Sequence, residues 1–193
     1  MDAEWLNEPP QWREEQSILH VTTGGKTDFW RETHYGFVRD NGHFRFVRAS
    51  ADFTAHIVFA GEYRELYDQA GLMLRLDERH WIKAGVEFVD GRRVLSCVVT
   101  REFSDWSTVP LFEAPNPVRL RLTRRGAAVR IDWAPAAVRP DDPAGFHMLR
   151  LAYLPAQGLA LVGPMCCSPK RAGFQARFQA FQIAHPIPWE LHA

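Results

Sequence analysis

The chain has 193 residues, 46% of them hydrophobic and 24% charged, which fits one soluble globular domain with a real core. Twenty-three basic and twenty-three acidic residues cancel, so no global field draws it to nucleic acid or to an anionic membrane surface. No apolar run is long enough to cross a bilayer, no basic-then-apolar leader is visible, and three cysteines, two of them adjacent, make a poor disulfide framework. The expectation is a reduced, cytoplasmic protein forming a single domain over residues 1–193.

Residues 1–16 read as a tail, pinned onto the domain by Trp5 and Trp12 because an exposed indole is unfavourable. Residues 17–23 (SILHVTT) read as a first strand, and 28–36 (DFWRETHYG) are dense in aromatics and histidine. Phe37-Val38 and residues 44–47 flank Asn41-Gly42, an Asn-Gly hairpin signal. Residues 53–61 alternate as a half-buried strand, and 63–67 (YRELY) suit one helical turn.

Residues 69–100 are the organising stretch: three alternating runs joined by two short turns, the pattern of an antiparallel sheet with one face on the core. Leu72, Leu74, Ile82, Ala84, Val86, Leu95, Cys97 and Val99 fall on the core side; Met73, Arg75, Trp81, Lys83, Glu87 and Ser96 fall on the other. Asp90-Gly91 predicts a type I′ turn, which sets Glu87 opposite Val94 and Lys83 opposite Val98. A three-residue loop at Glu78-Arg79-His80 keeps apolar facing apolar, with Leu76 by Ile82, and places Arg75 directly across from Lys83. Like charges opposed in this way destabilise a strand pair unless an anion sits close by, and Glu87 is the nearest one.

Beyond this stretch, residues 105–111 suit a strand or loop, and 118–123 a strand with Arg119 and Arg121 facing solvent. Residues 128–133, 146–154 and 159–165 are further strands, and 134–145 (APAAVRPDDPAG) is a surface loop. In the last run, 173–184, Phe174 and Phe178 share a parity that Phe181 and Ile183 do not, so a β-bulge near Gln179-Ala180 is expected. About a dozen short strands without a long amphipathic helix point to an all-β sandwich of two antiparallel sheets.

Several blocks, TDFWRETHYGFVRDNGHF, YDQAGLMLRLDERHWIKAGVEFVDG, LSCVVTREFSDWS, MLRLAYLP and VGPMCCSP, with FQARFQAFQI closing the chain, resemble the regulation-of-enolase family, a domain of unknown function. That family lies in the concanavalin A-like lectin/glucanase superfamily, and the resemblance spans nearly the whole chain. It implies a jelly-roll sandwich whose concave face binds carbohydrate in superfamily relatives, and a cytoplasmic regulatory role in part of the family. The one departure is the 134–145 loop, where family members carry a shorter hairpin.

The candidate ligand-binding set on that face is Arg75, Trp81, Lys83, Glu87 and Ser96, with His34, Tyr35, Asp105 and Trp106 closing its rim from neighbouring segments. Sugar recognition needs planar hydrogen-bonding groups and an aromatic platform, and this set holds both. Ordinary packing competes as the role of each aromatic, Trp30 included. A glycosidase needs two carboxyl groups about 5–10 Å apart; the strand KAGVEFVD supplies Glu87 and no second acid on its face, which leaves Asp105 as the alternative source. Adjacent strand residues Cys166 and Cys167 point to opposite faces and cannot chelate one metal, so neither metal nor cofactor is expected. The reading is a non-catalytic module for a carbohydrate or other polar small molecule, with a protein-interaction domain and a glycoside hydrolase as alternatives. Whether the polar face is open or filled by the tail with Trp5 and Trp12 stays undecided at this level.

Overall fold

A computed structural model describes residues 3–49, 52–111, 115–156 and 158–188. In chain order the strands are β1 (Glu4–Leu6), β2 (Gln11–Glu15), β3 (Ile18–Thr22), β4 (Phe29–Arg31), β5 (Val38–Asp40) and β6 (His43–Ala49). They continue with β7 (Phe53–Gly61), β8 (Gln69–Arg75), β9 (His80–Val89), β10 (Arg92–Arg101) and β11 (Phe103–Pro110). The last five are β12 (Val118–Arg125), β13 (Ala128–Pro135), β14 (His147–Tyr153), β15 (Ala160–Cys167) and β16 (Gln175–Ala184). No helix occurs among the described residues; residues 63–67 make only a hydrogen-bonded turn, in which the Asp68 N–H donates to the Glu65 carbonyl at 3.0 Å.

Two seven-stranded antiparallel sheets form the sandwich, ordered β1-β6-β15-β8-β9-β10-β11 and β14-β13-β12-β7-β16-β3-β2. Between them lies the main core, to which alternate residues of each strand contribute: Leu72, Leu74, Ile82, Ala84 and Leu95 from one sheet, Ile57, Phe59, Leu120 and Phe178 from the other. The N-terminal segment is more than a tail. Its two short strands extend an edge of each sheet, β1 against β6 and β2 against β3.

The Asp90-Gly91 turn behaves as its residues dictate, with φ of 52° and 76°, and the pairing runs Glu87↔Val94, Lys83↔Val98 and Trp81↔Thr100. At the other end of β9 the sequence reading is off by one on each strand. The loop is Asp77-Glu78-Arg79, so Leu74 faces Ile82, Arg75 faces Trp81, and Met73 rather than Arg75 faces Lys83. Asp77 sets this turn: its carboxylate accepts the N–H groups of Arg79 and His80 at 2.7 and 2.8 Å. The expected clash of like charges therefore does not arise.

Asn41-Gly42 does not make the expected hairpin. β5 turns back onto β4, while β6 joins the first sheet between β1 and β15. The glycine serves close approach instead, because a Cβ at Gly42 would overlap the Phe29 ring and the Cys167 sulfur. The bulge in β16 falls where the phase slip placed it: the register shifts between Gln179 and Gln182, with Ala180 at φ 53°.

Arg119 and Arg121 are not solvated. Arg121 holds Asp132 at 3.1 Å and stacks 3.9 Å from the centre of the Phe146 ring, while Arg119 donates to the Ala136 carbonyl at 3.2 Å. Phe146 and Ala136 belong to the segment after β13, so the long Pro/Ala/Asp-rich loop folds back over the outer face of the second sheet.

Candidate functional site

The outer face of the first sheet carries a second, smaller core. Met73, Trp81, Val98, Met165 and Cys167 from its strands pack with Phe44, Phe46 and two residues of β4, Phe29 and Trp30. The β4–β5 hairpin thus lies across this face as a third layer. Phe29 anchors it, fully buried and edge-on to Trp81 with centroids 6.1 Å apart; burial of one such side chain stabilises by roughly 1.5–3 kcal/mol. The cover is chiefly this hairpin; the N-terminal segment adds Leu6 at the margin of the same core, while its Trp5 and Trp12 rings pack against each other at 5.7 Å.

The charges expected on an open face are consequently buried and paired. Arg75 forms a two-point pair with Asp40 of β5 at 2.6 and 2.8 Å. Lys83, 4% exposed, reaches Asp28 at the foot of β4 at 3.0 Å. Trp81 is 1% exposed and is core rather than platform. These three candidates hold the hairpin down and do not face solvent.

Glu87, Ser96 and Trp106 form a second group. The Trp106 indole N–H is shared between Glu87 Oε2 at 3.1 Å and Ser96 Oγ at 3.0 Å. Gln69 Nε2 lies 3.5 Å from both Glu87 Oε1 and Asp28 Oδ1, so those carboxylate oxygens can be no farther apart than twice that distance. Asp28 is therefore a carboxylate neighbour of Glu87; its place in the aromatic-rich 28–36 run gave no periodic signal. Glycines make room for the group. Gly71 and Gly85 face each other between the row bearing Lys83 and the row bearing Glu87, which lets Gln69, Lys83, Glu87 and Ser96 converge beside Met165 around a void of about 10 Å³.

Burial pushes the Glu87 carboxyl above the usual carboxylate range, against the opposing pull of Lys83 and of the Ser96 and Trp106 hydrogen bonds. For Lys83, burial alone would lower the ammonium pKa, but Asp28, Cys167 and Glu87 outweigh it and the net direction is upward. A carboxyl whose folded pKa lies above its unfolded value contributes most at low pH, and that contribution falls away as pH rises through the folded pKa. Glu87→Gln is therefore expected to gain stability relative to the wild type as pH is raised from about 4 to 7. Parallel denaturant titrations across that window check it, and a constant difference between the two proteins would contradict it.

Above this group a ring of aromatics closes the hairpin onto the sheet. Tyr35 and Tyr67 share a hydrogen bond between their hydroxyls at 2.7 Å, which, with desolvation behind it, raises the Tyr67 pKa. Tyr35 also stands edge-on to Trp30 and His34 and stacks on Phe37. Beneath them a pocket of about 30 Å³ reaches Asp28, Lys83 and Glu87, room for about one water and no more.

Outside the ring lies a cleft of about 730 Å³, between the hairpin tip and the end of the β10–β11 pair. Trp30, Tyr35, Phe103 and Trp106 supply its aromatic surfaces; Thr33, His34, Arg101 and Asp105 supply its polar groups. Tyr35, Phe103 and Trp106 are 44%, 63% and 38% exposed, so the aromatic walls are open to a ligand. The structure thus splits the expected set in two. His34, Tyr35, Asp105 and Trp106 line one accessible cleft, while Arg75, Trp81, Lys83, Glu87 and Ser96 are buried outside it, with Glu87 and Ser96 fixing the Trp106 ring. Phe103 and Arg101 were missed by the sequence reading; their signal was their place at the tight turn around Glu102, which has φ 68°. Among the described residues no group of three or more His, Cys, Asp or Glu is placed to hold a metal ion.

Two antiparallel sheets face to face, one overlaid by a hairpin that borders an aromatic cleft, define a concanavalin A-like jelly-roll sandwich. The chain belongs to the family described as a protein of unknown function, DUF1349, whose model matches residues 5–186. It is 41% identical over 188 residues to regulation of enolase protein 1 of Saccharomyces cerevisiae, covering 97% of this chain and 92% of that protein. The solved structure of a functionally unknown protein from Saccharomyces cerevisiae superposes with a TM-score of 0.89 at 40% identity, covering 96% of this chain and 97% of that one. More distant likenesses show the fold alone. A bifunctional GH43-CE protein of Bacteroides eggerthii matches at TM-score 0.66 and 18% identity, over 96% of this chain and 24% of that one. An alginate lyase of Pseudomonas aeruginosa matches at 0.58 and 12%, over 92% and 87%.

Proposed function

We propose that this protein is a cytoplasmic regulatory module that binds a carbohydrate or sugar-like polar metabolite in the cleft beside the hairpin, without turning it over. The observation that carries the reading is the fixed Trp106 ring. Its N–H is held by Glu87 and Ser96, so the indole presents a preorganised flat wall in the cleft it lines with Tyr35 and Trp30, and a wall ordered before binding costs little entropy on binding. A pyranose ring has apolar faces that stack on such a wall and hydroxyls that reach His34, Asp105 and Thr33. The name of the yeast relative supports the regulatory part. Binding without turnover fits the two neighbouring carboxylates, since Asp28 is spent on Lys83 and Glu87 on Trp106, in a pocket too small for a sugar.

Calorimetry against a panel of mono- and oligosaccharides tests this. At least one sugar is expected to bind, and Trp106→Ala to weaken it by about tenfold or more. No heat from any sugar would remove the reading.

A second reading, a protein-docking module, rests on a different observation. Phe103, Val109, Met148, Leu151 and Tyr153 are all more than 40% exposed on β11 and β14, which Arg150 of β14 links by reaching Asp105 and Ser107 of β11. Co-sedimentation with purified enolase, with Val109→Asp as control, addresses it; absence of any complex would set it aside.

A further inference from the structure

The charge balance around the cleft narrows its ligand. Asp105 is held by Arg150 at 3.6 Å, and Arg150 also reaches Ser107 at 3.4 Å. Just outside, Glu102 is held by Arg79 at 2.6 Å, and Arg31 donates to the Glu102 carbonyl at 3.0 Å. On the hairpin side, Arg39 lies over the Phe37 ring and donates to the Lys26 carbonyl. Among the described residues, the one acidic group lining the cleft is thus already paired with a cation, and the neighbouring guanidinium groups are committed to partners within the fold.

Arg101 differs. It is exposed and lines the cleft, and its only contact among the described residues is a loose one with the Tyr153 ring, 5.7 Å from the centroid. Its backbone position is firm. Arg101 closes β10 opposite His80 and Phe103, and the next residue, Glu102, donates its N–H to the Arg79 carbonyl at 3.0 Å. Ser104, two residues further on, is tied to both Thr100 and the Arg31 N–H at 2.9 Å. An uncommitted guanidinium therefore stands at a fixed corner, beside aromatic walls that suit a sugar ring.

Building on the sugar-binding reading, we infer that the cleft is selective for an anionic sugar, one bearing a carboxylate or a phosphate that pairs with Arg101 while the ring stacks on Phe103, its neighbour across the strand pair. A guanidinium offers two parallel N–H donors to either group, and such charge-assisted contacts are about twice as strong as neutral ones. A neutral sugar makes the stacking contacts alone. The shared chemistry is a monosaccharide carrying an oxyanion, and uronates and sugar phosphates are its two sources.

The test is calorimetry of the full chain against glucose, glucuronate, glucose 6-phosphate and inorganic phosphate, each repeated with Arg101→Gln. The side chain is exposed, so the variant keeps its fold, which its melting temperature verifies. At least one of the two anionic sugars is expected to bind about tenfold or more tighter than glucose, with the preference shrinking as salt is added. Arg101→Gln is expected to bring that sugar down to the level at which the same variant binds glucose. Whichever anionic sugar keeps the advantage identifies the source. Glucose binding as tightly as both anionic sugars, or a preference that survives Arg101→Gln, overturns the inference and leaves the sugar cleft standing. Inorganic phosphate matching glucose 6-phosphate, or no binding by any sugar, overturns the sugar reading itself.

Discussion

Lys83→Ala is expected to destabilise the protein by about 3–5 kcal/mol, the range for removing one member of a buried ion pair, and to lower the melting temperature by about 10 °C for a chain of this size. The ammonium sits between two carboxylates on a nearly closed face, 3.0 Å from Asp28 and close enough to Glu87 to pull its pKa down. Without it, Asp28 and Glu87 face each other across Gln69 with no cation between them. The hairpin then loses its polar tie at the foot, although Phe29 still anchors it. Adding Glu87→Gln to the variant is expected to restore part of the loss, a coupling that a double-mutant cycle reads directly. A loss below about 1 kcal/mol would place Lys83 in water, as for an exposed pair, and would mean that the hairpin does not cover this face.

Gly85→Ala is expected to do at least as much damage by a different route. A Cβ at Gly85 would overlap the carbonyl oxygen of Ala70 and approach Gly71 within the same strand pair, and backbone of a central strand cannot swing aside as a side chain does. Relief requires β8 and β9 to move apart, which breaks ladder hydrogen bonds in the middle of the sheet and unseats the cluster of Gln69, Lys83, Glu87 and Ser96. Overpacking in a well-packed interior costs about 1–3 kcal/mol when side chains absorb it; with backbone as the obstacle, about 3 kcal/mol or more is expected. Gly91→Ala, in a turn where the added Cβ meets nothing within 4 Å, is the useful comparison, because its cost is limited to the φ of 76° and is about 1 kcal/mol. Equal effects from the two substitutions, read by denaturant unfolding, would contradict the close approach of β8 and β9.

Much of the fold was legible because it rests on local rules. Alternation over residues 69–100 assigned the inward faces, the positive-φ pair Asp90-Gly91 fixed one register, and a phase slip located the bulge at Ala180. The errors arose where a local signal met a stronger partner. The Asp77 carboxylate captured two backbone N–H groups and moved the β8–β9 loop by one residue. The Asn41-Gly42 signal was overridden by the packing of Phe29 and Cys167 against Gly42.

The candidate site could be read from the sequence as a list of residues and not as an arrangement. Period two shows that a strand has two faces but not what lies on the second one, and the covering residues 28–40 have little periodicity of their own. A cue was present in β8 and β10. Met73 and Val98 interrupt the polar side of strands whose other side is apolar, and all seven residues of β8 are buried, the pattern of a strand covered on both faces. Read that way, Lys83 and Glu87 become buried supports for Trp106 and the hairpin, and the accessible chemistry moves outward to Tyr35, Phe103, Arg101 and Asp105.

Nuclear magnetic resonance of the indole N–H groups during titration with glucuronate and glucose 6-phosphate tests the central claim most directly, since it reports where a sugar sits as well as whether it binds. Saturable movement of the Trp106 and Trp30 signals is expected, with those of Trp5 and Trp133, outside the cleft, left in place. Titration that shifts no indole signal, or moves Trp5 or Trp133 while Trp106 stays fixed, would contradict a sugar-binding cleft at the hairpin.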